Sequence, residues 1–133
     1  MTKEQLSTLA KEAMERAYAP YSGCKVGAAL LAKSGKVYLG CNIENASFSP
    51  TICAERSAFA SAISAGDREF AALAVTGGKD GVIGEAFFPC GVCRQVIREF
   101  CEDTFPIYVL TGNGILSLSL ADLLPHSFSK EVM

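Results

Sequence analysis

Apolar and polar residues follow two different periods along the chain, and the changes of period divide it into elements. Over residues 2–18 the apolar positions Leu6, Leu9, Ala10, Ala13, Met14 and Ala17 recur at spacings of three and four, which lines one face of a helix. Thr2 followed by Gln5 predicts a capping box at its start, and Pro20 stops it. Two β segments are expected over 25–32 and 36–43, joined by the turn Lys33-Ser34-Gly35. Ser49-Pro50-Thr51 predicts the opening of a second helix, running to about Ala65 with Gly66 as its stop. Residues 70–76 are continuously apolar, which suits a strand buried on both faces. Pro89 begins a third helix that runs to about Cys101. Residues 106–111 and 115–118 read as two further strands, and Ser119 starts a short last helix that ends by Pro125. The succession α-β-β-α-β-α-β-β-α predicts an α/β fold in three layers, α/β/α, with helices on both faces of a mixed five-stranded sheet. Strand order is not contained in the pattern.

Composition narrows the class. With 133 residues, half of them hydrophobic, the chain has material for one core, so a single domain over 1–133 is expected. A net charge of −2 without a basic stripe argues against a nucleic-acid partner held through its phosphates. Charges throughout the first twenty residues leave no apolar leader core, and the longest apolar runs, such as 26–32, fall far short of the ~20 residues a membrane span needs. A cytoplasmic location is therefore expected. One stretch stands apart: between Thr104 and Ser129 the only carboxylate, lysine or arginine is Asp122. Either the last strand and helix are buried, or this surface lies between subunits, where charge is depleted.

Six cysteines then call for an explanation. In a reducing compartment a disulfide framework is not expected, and only Cys90 and Cys93 have ligand-like spacing. Cys53-Ala54-Glu55-Arg56 falls at the start of the second expected helix, and Pro89-Cys90-Gly91-Val92-Cys93 at the start of the third. Free N–H groups and the helix dipole at such ends lower thiol pKa values, and zinc binds the thiolate. Cys53, Cys90 and Cys93 are thus candidate ligands of a catalytic zinc, which keeps one position open. Glu55, two residues from a ligand, is placed for proton transfer. The competing readings are a redox dithiol at Cys90 and Cys93, or a structural zinc site closed by Cys24, Cys41 or Cys101. Glu55 as a dipole partner, Asn42 and Glu44 as turn residues, and Arg56 as a solvated helix residue are the plainer alternatives. Cys41 and Cys101 read as small apolar packing, and the lone His126 as a tail residue.

Cys-x-Glu followed by Pro-Cys-x-x-Cys is the signature of zinc deaminases. With YAPYSGCKVGAALL, GCNIENASFSPTICAER, PCGVCRQV and LLPHSF, the chain resembles the small, homotetrameric, three-cysteine cytidine deaminases nearly from end to end. The resemblance implies a cytidine-deaminase-like fold and one Zn²⁺ per subunit. It implies hydrolytic deamination of cytidine and deoxycytidine to uridine and deoxyuridine, a pyrimidine-salvage reaction. It assigns Cys53, Cys90 and Cys93 to the metal, Glu55 to proton transfer, and Asn42 and Glu44 to the ribose hydroxyls. The backbone N–H of Ala54 is assigned to the pyrimidine carbonyl, and Arg56 to partial neutralisation of the thiolates. Phe128 is assigned to a neighbouring subunit's pocket, so that active sites are shared. Two positions depart from the family: Cys24 stands where a Phe is usual, and Phe88 where a Ser often precedes Pro-Cys. A modified cytosine nucleoside or the free base is the alternative substrate.

Overall fold

A computed structural model describes residues 1–133. The elements are α1 (Lys3–Met14), β1 (Cys24–Ala32), β2 (Val37–Cys41), α2 (Ala54–Ser64), β3 (Phe70–Lys79), α3 (Gly91–Phe100), β4 (Pro106–Thr111), β5 (Gly114–Ser119) and α4 (Leu120–Leu123), with a 3₁₀ turn at Lys130–Val132. The five strands form one sheet in the order β2-β1-β3-β4-β5. Only β3 and β4 run parallel, with α3 carrying the chain between them; the other pairings are antiparallel. No helix is long and apolar enough to cross a membrane.

Alternation along the strands supplies two cores. Ala28 and Leu30 of β1, Leu73 and Val75 of β3, and Ile107 and Val109 of β4 face α2, α3 and α4, where Phe59, Ile97 and Leu120 meet them. Ala29, Ala72 and Ala74 point to the other face and pack against Leu6 and Ala10 of α1. Helices therefore cover both faces of a mixed five-stranded sheet. Two glycines set how closely they do so. A Cβ on Gly27 would lie 2.1 Å from the Ala10 carbonyl oxygen, and one on Gly40 would lie 2.3 Å from that of Ala54. Bare backbone at these positions lets α1 and α2 rest directly on the sheet, and Gly40 fixes the height of the first turn of α2.

The expected elements are present, with corrected ends. The capping box of Thr2 and Gln5 forms, but α1 stops at Met14 and not at residue 18. Tyr18 is drawn into a parallel bridge with Ile43, which costs the helix its last turn. The second helix begins at Ala54 rather than at Pro50, because Ile52 pairs with Ile43 and leaves Cys53 extended as the N-cap. Cys90 is likewise the N-cap of α3. The uncharged stretch is only partly hidden within the chain: Phe105, Ile107, Val109 and Leu120 are buried, whereas β5 is an edge strand with Leu116 exposed.

Candidate active site

Both cysteine-bearing helix tips lie at the same edge of the fold, and their thiols converge. The Sγ atoms of Cys53, Cys90 and Cys93 all lie within 4.8 Å of one another, with Cys53 3.7 Å and Cys93 3.4 Å from Cys90. These separations are close to the ~3.8 Å edge of a tetrahedron built on ~2.3 Å zinc–sulfur bonds. Cys93 is completely buried, Cys53 half-buried and Cys90 exposed. Bonding from the Cys93 thiol, then from Arg56 and the Cys90 thiol, draws the pKa of Cys53 down to about 5. Cys93 is pushed upward, chiefly by its bond to Cys53 and by burial. Soft donors at tetrahedral spacing, one of them already inclined to ionise, are a donor set that fits zinc.

Arg56 reaches this cluster from the first turn of α2. Its Nη2 donates to Cys53 Sγ at 3.7 Å and to the Thr51 carbonyl at 3.2 Å, while its buried Nε has no protein partner. The half-buried guanidinium thus sits against the Cys53 sulfur, which it helps to ionise. Glu55 turns inward beside the thiols. It is 4% exposed, and burial, with the Cys53 thiolate contributing in the same direction, pushes its carboxyl up to about 7. Glu55 does not join the group of potential ligands, and neither do Cys24, Cys41 or Cys101.

A hollow of about 200 Å³ opens over the thiols, lined among others by Val26, Asn42, Thr51, Glu55, Phe88 and Cys90. Thr51 also lines an adjoining hollow of about 380 Å³ with Tyr21, Ser22, Glu44 and Phe48. Asn42 and Glu44 therefore face two neighbouring compartments. Glu44 accepts from the N–H groups of Tyr21 and Ser22 at 2.9 and 3.0 Å and from the Ser22 hydroxyl. The Ser22 hydroxyl, first among these, holds the carboxyl of Glu44 below its usual range. Asn42 has a structural duty that its place in the sequence does not announce. Its Oδ1 accepts from Val26 N–H and its Nδ2 donates to the Cys24 carbonyl, both at 2.8 Å, so the amide continues the β1 ladder beyond the end of β2. One N–H and one lone pair of Asn42 remain for a ligand.

Other positions fall differently. The side chain of Cys24 lines neither hollow; the residue meets the site through its carbonyl. Phe88 supplies the aromatic wall of the smaller hollow. Phe128 is 64% exposed and does not line its own chain's pocket, although its carbonyl accepts from Gln95 Nε2 at 2.9 Å. Thr51, Ser22 and Arg94 escape a reading of the sequence, since a lone threonine, serine or arginine carries no spacing signal.

Cys53, Cys90 and Glu55 share one opening, and the group of potential ligands has three members. Structural zinc sites are closed whereas catalytic ones keep a free position, so the class is that of an open-site zinc enzyme on an α/β/α sheet. Residues 1–109 match the family model of the cytidine and deoxycytidylate deaminase zinc-binding region, and the chain belongs to that family. It is 51% identical over 132 residues to a cytidine deaminase of Sporosarcina psychrophila, covering 98% of this chain and 94% of the relative. A cytidine deaminase of Halalkalibacterium halodurans is 42% identical over 134 residues, with 100% and 98% covered. The crystal structure of cytidine deaminase from Burkholderia pseudomallei is similar at a TM-score of 0.88 and 47% identity, covering 96% of this chain and all of that one.

Proposed function

We propose that this chain deaminates cytidine and deoxycytidine hydrolytically, as one catalytic domain over residues 1–133, giving uridine or deoxyuridine and ammonia in pyrimidine salvage. The observation that carries this reading is the buried carboxylate of Glu55, which lines the same hollow as Cys53, Cys90 and Asn42. A zinc ion held by Cys53, Cys90 and Cys93 would lower the pKa of water toward neutrality and so supply the nucleophile. Glu55 accepts a proton from that water and delivers it to ring nitrogen 3 of cytosine. The water oxygen forms the C4–O bond. The same carboxyl then takes the proton remaining on that oxygen and passes it to the amino group, so that the C4–N bond breaks, ammonia leaves and a C4 carbonyl remains. A carboxyl whose pKa lies near neutrality both takes and gives protons without a large penalty in either direction.

The remaining residues bind and orient. Ala54 is the first residue of α2, so its N–H lies outside the helix ladder and is free to donate to the pyrimidine carbonyl. Asn42 and ionised Glu44 receive the ribose hydroxyls, Glu44 as a pure acceptor. Phe88 forms the wall of the hollow near the leaving amino group. Arg56 offsets the negative charge that three thiolates leave on the metal. Phe128, exposed on its own chain, closes a neighbouring subunit's pocket in a homotetramer, which accounts for the charge-free surface around β5. The enzyme works in the cytoplasm on a small nucleoside.

Turnover of cytidine, deoxycytidine, cytosine and a blasticidin-like analogue by the zinc-loaded protein tests the reading. Cytidine and deoxycytidine are expected to react well and free cytosine poorly. Preference for free cytosine or for the modified nucleoside would overturn the assignment of substrate. Full activity after removal of zinc would overturn the chemistry.

A further inference from the structure

Arg94 follows Cys93 on α3 and joins two carbonyls from distant parts of the chain. Its Nε donates to the Pro89 carbonyl and its Nη1 to the Leu123 carbonyl, each at 2.6 Å. Leu123 ends α4, a helix of four residues whose last carbonyls have no partners inside it. A guanidinium serves two fixed acceptors at once because its N–H groups diverge in a rigid, planar fork. The Arg94 backbone N–H also donates to the Cys90 carbonyl at 2.9 Å. Both carbonyls that flank Cys90 are therefore bonded to one residue, through its side chain on one side and its main chain on the other.

Cys90 is the thiol that needs such support. Cys93 is enclosed by the core, and Cys53 is held beneath Arg56. Cys90 is exposed, and as an N-cap it makes no side-chain cap bond. Packing thus leaves its direction to the backbone, above all to the Pro89–Cys90 peptide, whose carbonyl Arg94 grips. Pro89 itself is fully buried and has no N–H with which to anchor the turn.

We propose that Arg94 is a positioning residue for the metal site, bolting the Pro89–Cys90 turn to α4 and so presetting the Cys90 thiolate. The inference rests on the zinc reading, and the experiment separates the two. Zinc content and affinity are measured by competition with a chromogenic chelator, and the protein loaded with cobalt reports its thiolate-to-metal absorption. Cys53→Ser is expected to lose zinc; if it binds zinc as tightly as the wild type, the zinc reading falls and this inference with it. Arg94→Gln is expected to keep the fold and to weaken zinc by about 10–100-fold, with an altered cobalt spectrum, the usual cost of losing a residue that orients a ligand. Arg94→Lys, which keeps the charge without the fork, is expected to lie between. Arg98→Gln is the control. This second α3 arginine also bonds a backbone carbonyl, that of Cys101, and Asp103, but lies a turn beyond the thiols. It should lower Tm and leave zinc affinity unchanged. An Arg94→Gln protein that binds zinc as the wild type does would overturn the proposal whatever its Tm. Should Arg94→Gln fail to fold, Arg94→Lys decides alone, and wild-type affinity in that variant overturns the proposal equally.

Discussion

Glu55 combines two properties that usually exclude each other, a place in the first turn of a helix and near-complete burial. The first favours the charged form and the second opposes it; burial prevails, which is why its carboxyl rises to about 7. Glu55→Gln keeps the shape and the hydrogen bonds but cannot carry protons. Zinc content and Tm are expected to hold while kcat falls by at least about 10²–10⁴-fold; activity within a few-fold of the wild type would contradict the role. Asn42 and Glu44 each combine two kinds of contribution, to the fold and to the substrate. Asn42→Ala removes two bonds to the β1 backbone, each worth about 1 kcal/mol, and should lower Tm as well as cytidine turnover. Glu44→Ala removes three bonds, from the Tyr21 and Ser22 N–H groups and the Ser22 hydroxyl, and should likewise lower both Tm and cytidine turnover. For both, kcat/KM for cytidine should fall much further than for cytosine, since a site built for hydroxyls is penalised only when they are present. Equal losses on the two substrates would make these residues structural.

At the scale of elements, the height of α2 above the sheet fixes where Cys53 and Glu55 stand. Gly40→Ala puts a methyl 2.3 Å from the Ala54 carbonyl oxygen and 2.5 Å from Ala58 N, so α2 must lift. Gly27→Ala crowds α1 just as severely on the opposite face, 2.1 Å from the Ala10 carbonyl oxygen and 2.3 Å from Met14 N. Both should cost about 1–3 kcal/mol or more of stability, but only Gly40→Ala should also weaken zinc in chelator competition. Similar zinc affinities in the two variants would show that the site tolerates movement of α2. At the other end of α3, burial pushes the Cys101 thiol up to about 12, above the ordinary thiol value. The unfolded chain releases that proton first, so the stabilisation is complete below the unfolded pKa and is lost as pH rises toward the folded one. The difference in Tm between the wild type and Cys101→Ala should therefore shift against the wild type between about pH 9 and about pH 11. A difference that stays constant over that range would mean Cys101 titrates normally.

For the whole molecule, the decisive question is whether one chain makes one site. Phe128 is tethered by its carbonyl yet turns its ring outward, and Phe48, Phe88 and Val92 are exposed as well. Glu55→Ala and Phe128→Ala proteins, each nearly inactive alone and each shown to assemble, should regain activity when mixed and reassembled. Some sites then pair an intact Glu55 with an intact Phe128 from the adjoining chain. Verified mixed assemblies with no activity above the sum of the parents would place Phe128 in its own subunit's packing.

Local signals in the sequence determined the element types and the three-layer class, because periodicity and prolines act within a few residues of one another. Cys53 and Cys90 stand 37 residues apart, and resemblance to the zinc deaminases grouped them with Cys93 and Glu55. Tertiary structure alone decided the strand order β2-β1-β3-β4-β5, since pairing depends on contacts far apart in the chain. It also decided where α2 begins: the Ile43–Ile52 bridge overrides the Ser-Pro start signal and makes Cys53 the N-cap. The second employment of Asn42 as a rung of the sheet, the outward turn of Phe128 and the grip of Arg94 on two distant carbonyls were likewise invisible in one dimension. Each depends on a partner that folding brings near, and a single polar residue carries no periodicity by which its partner could be named.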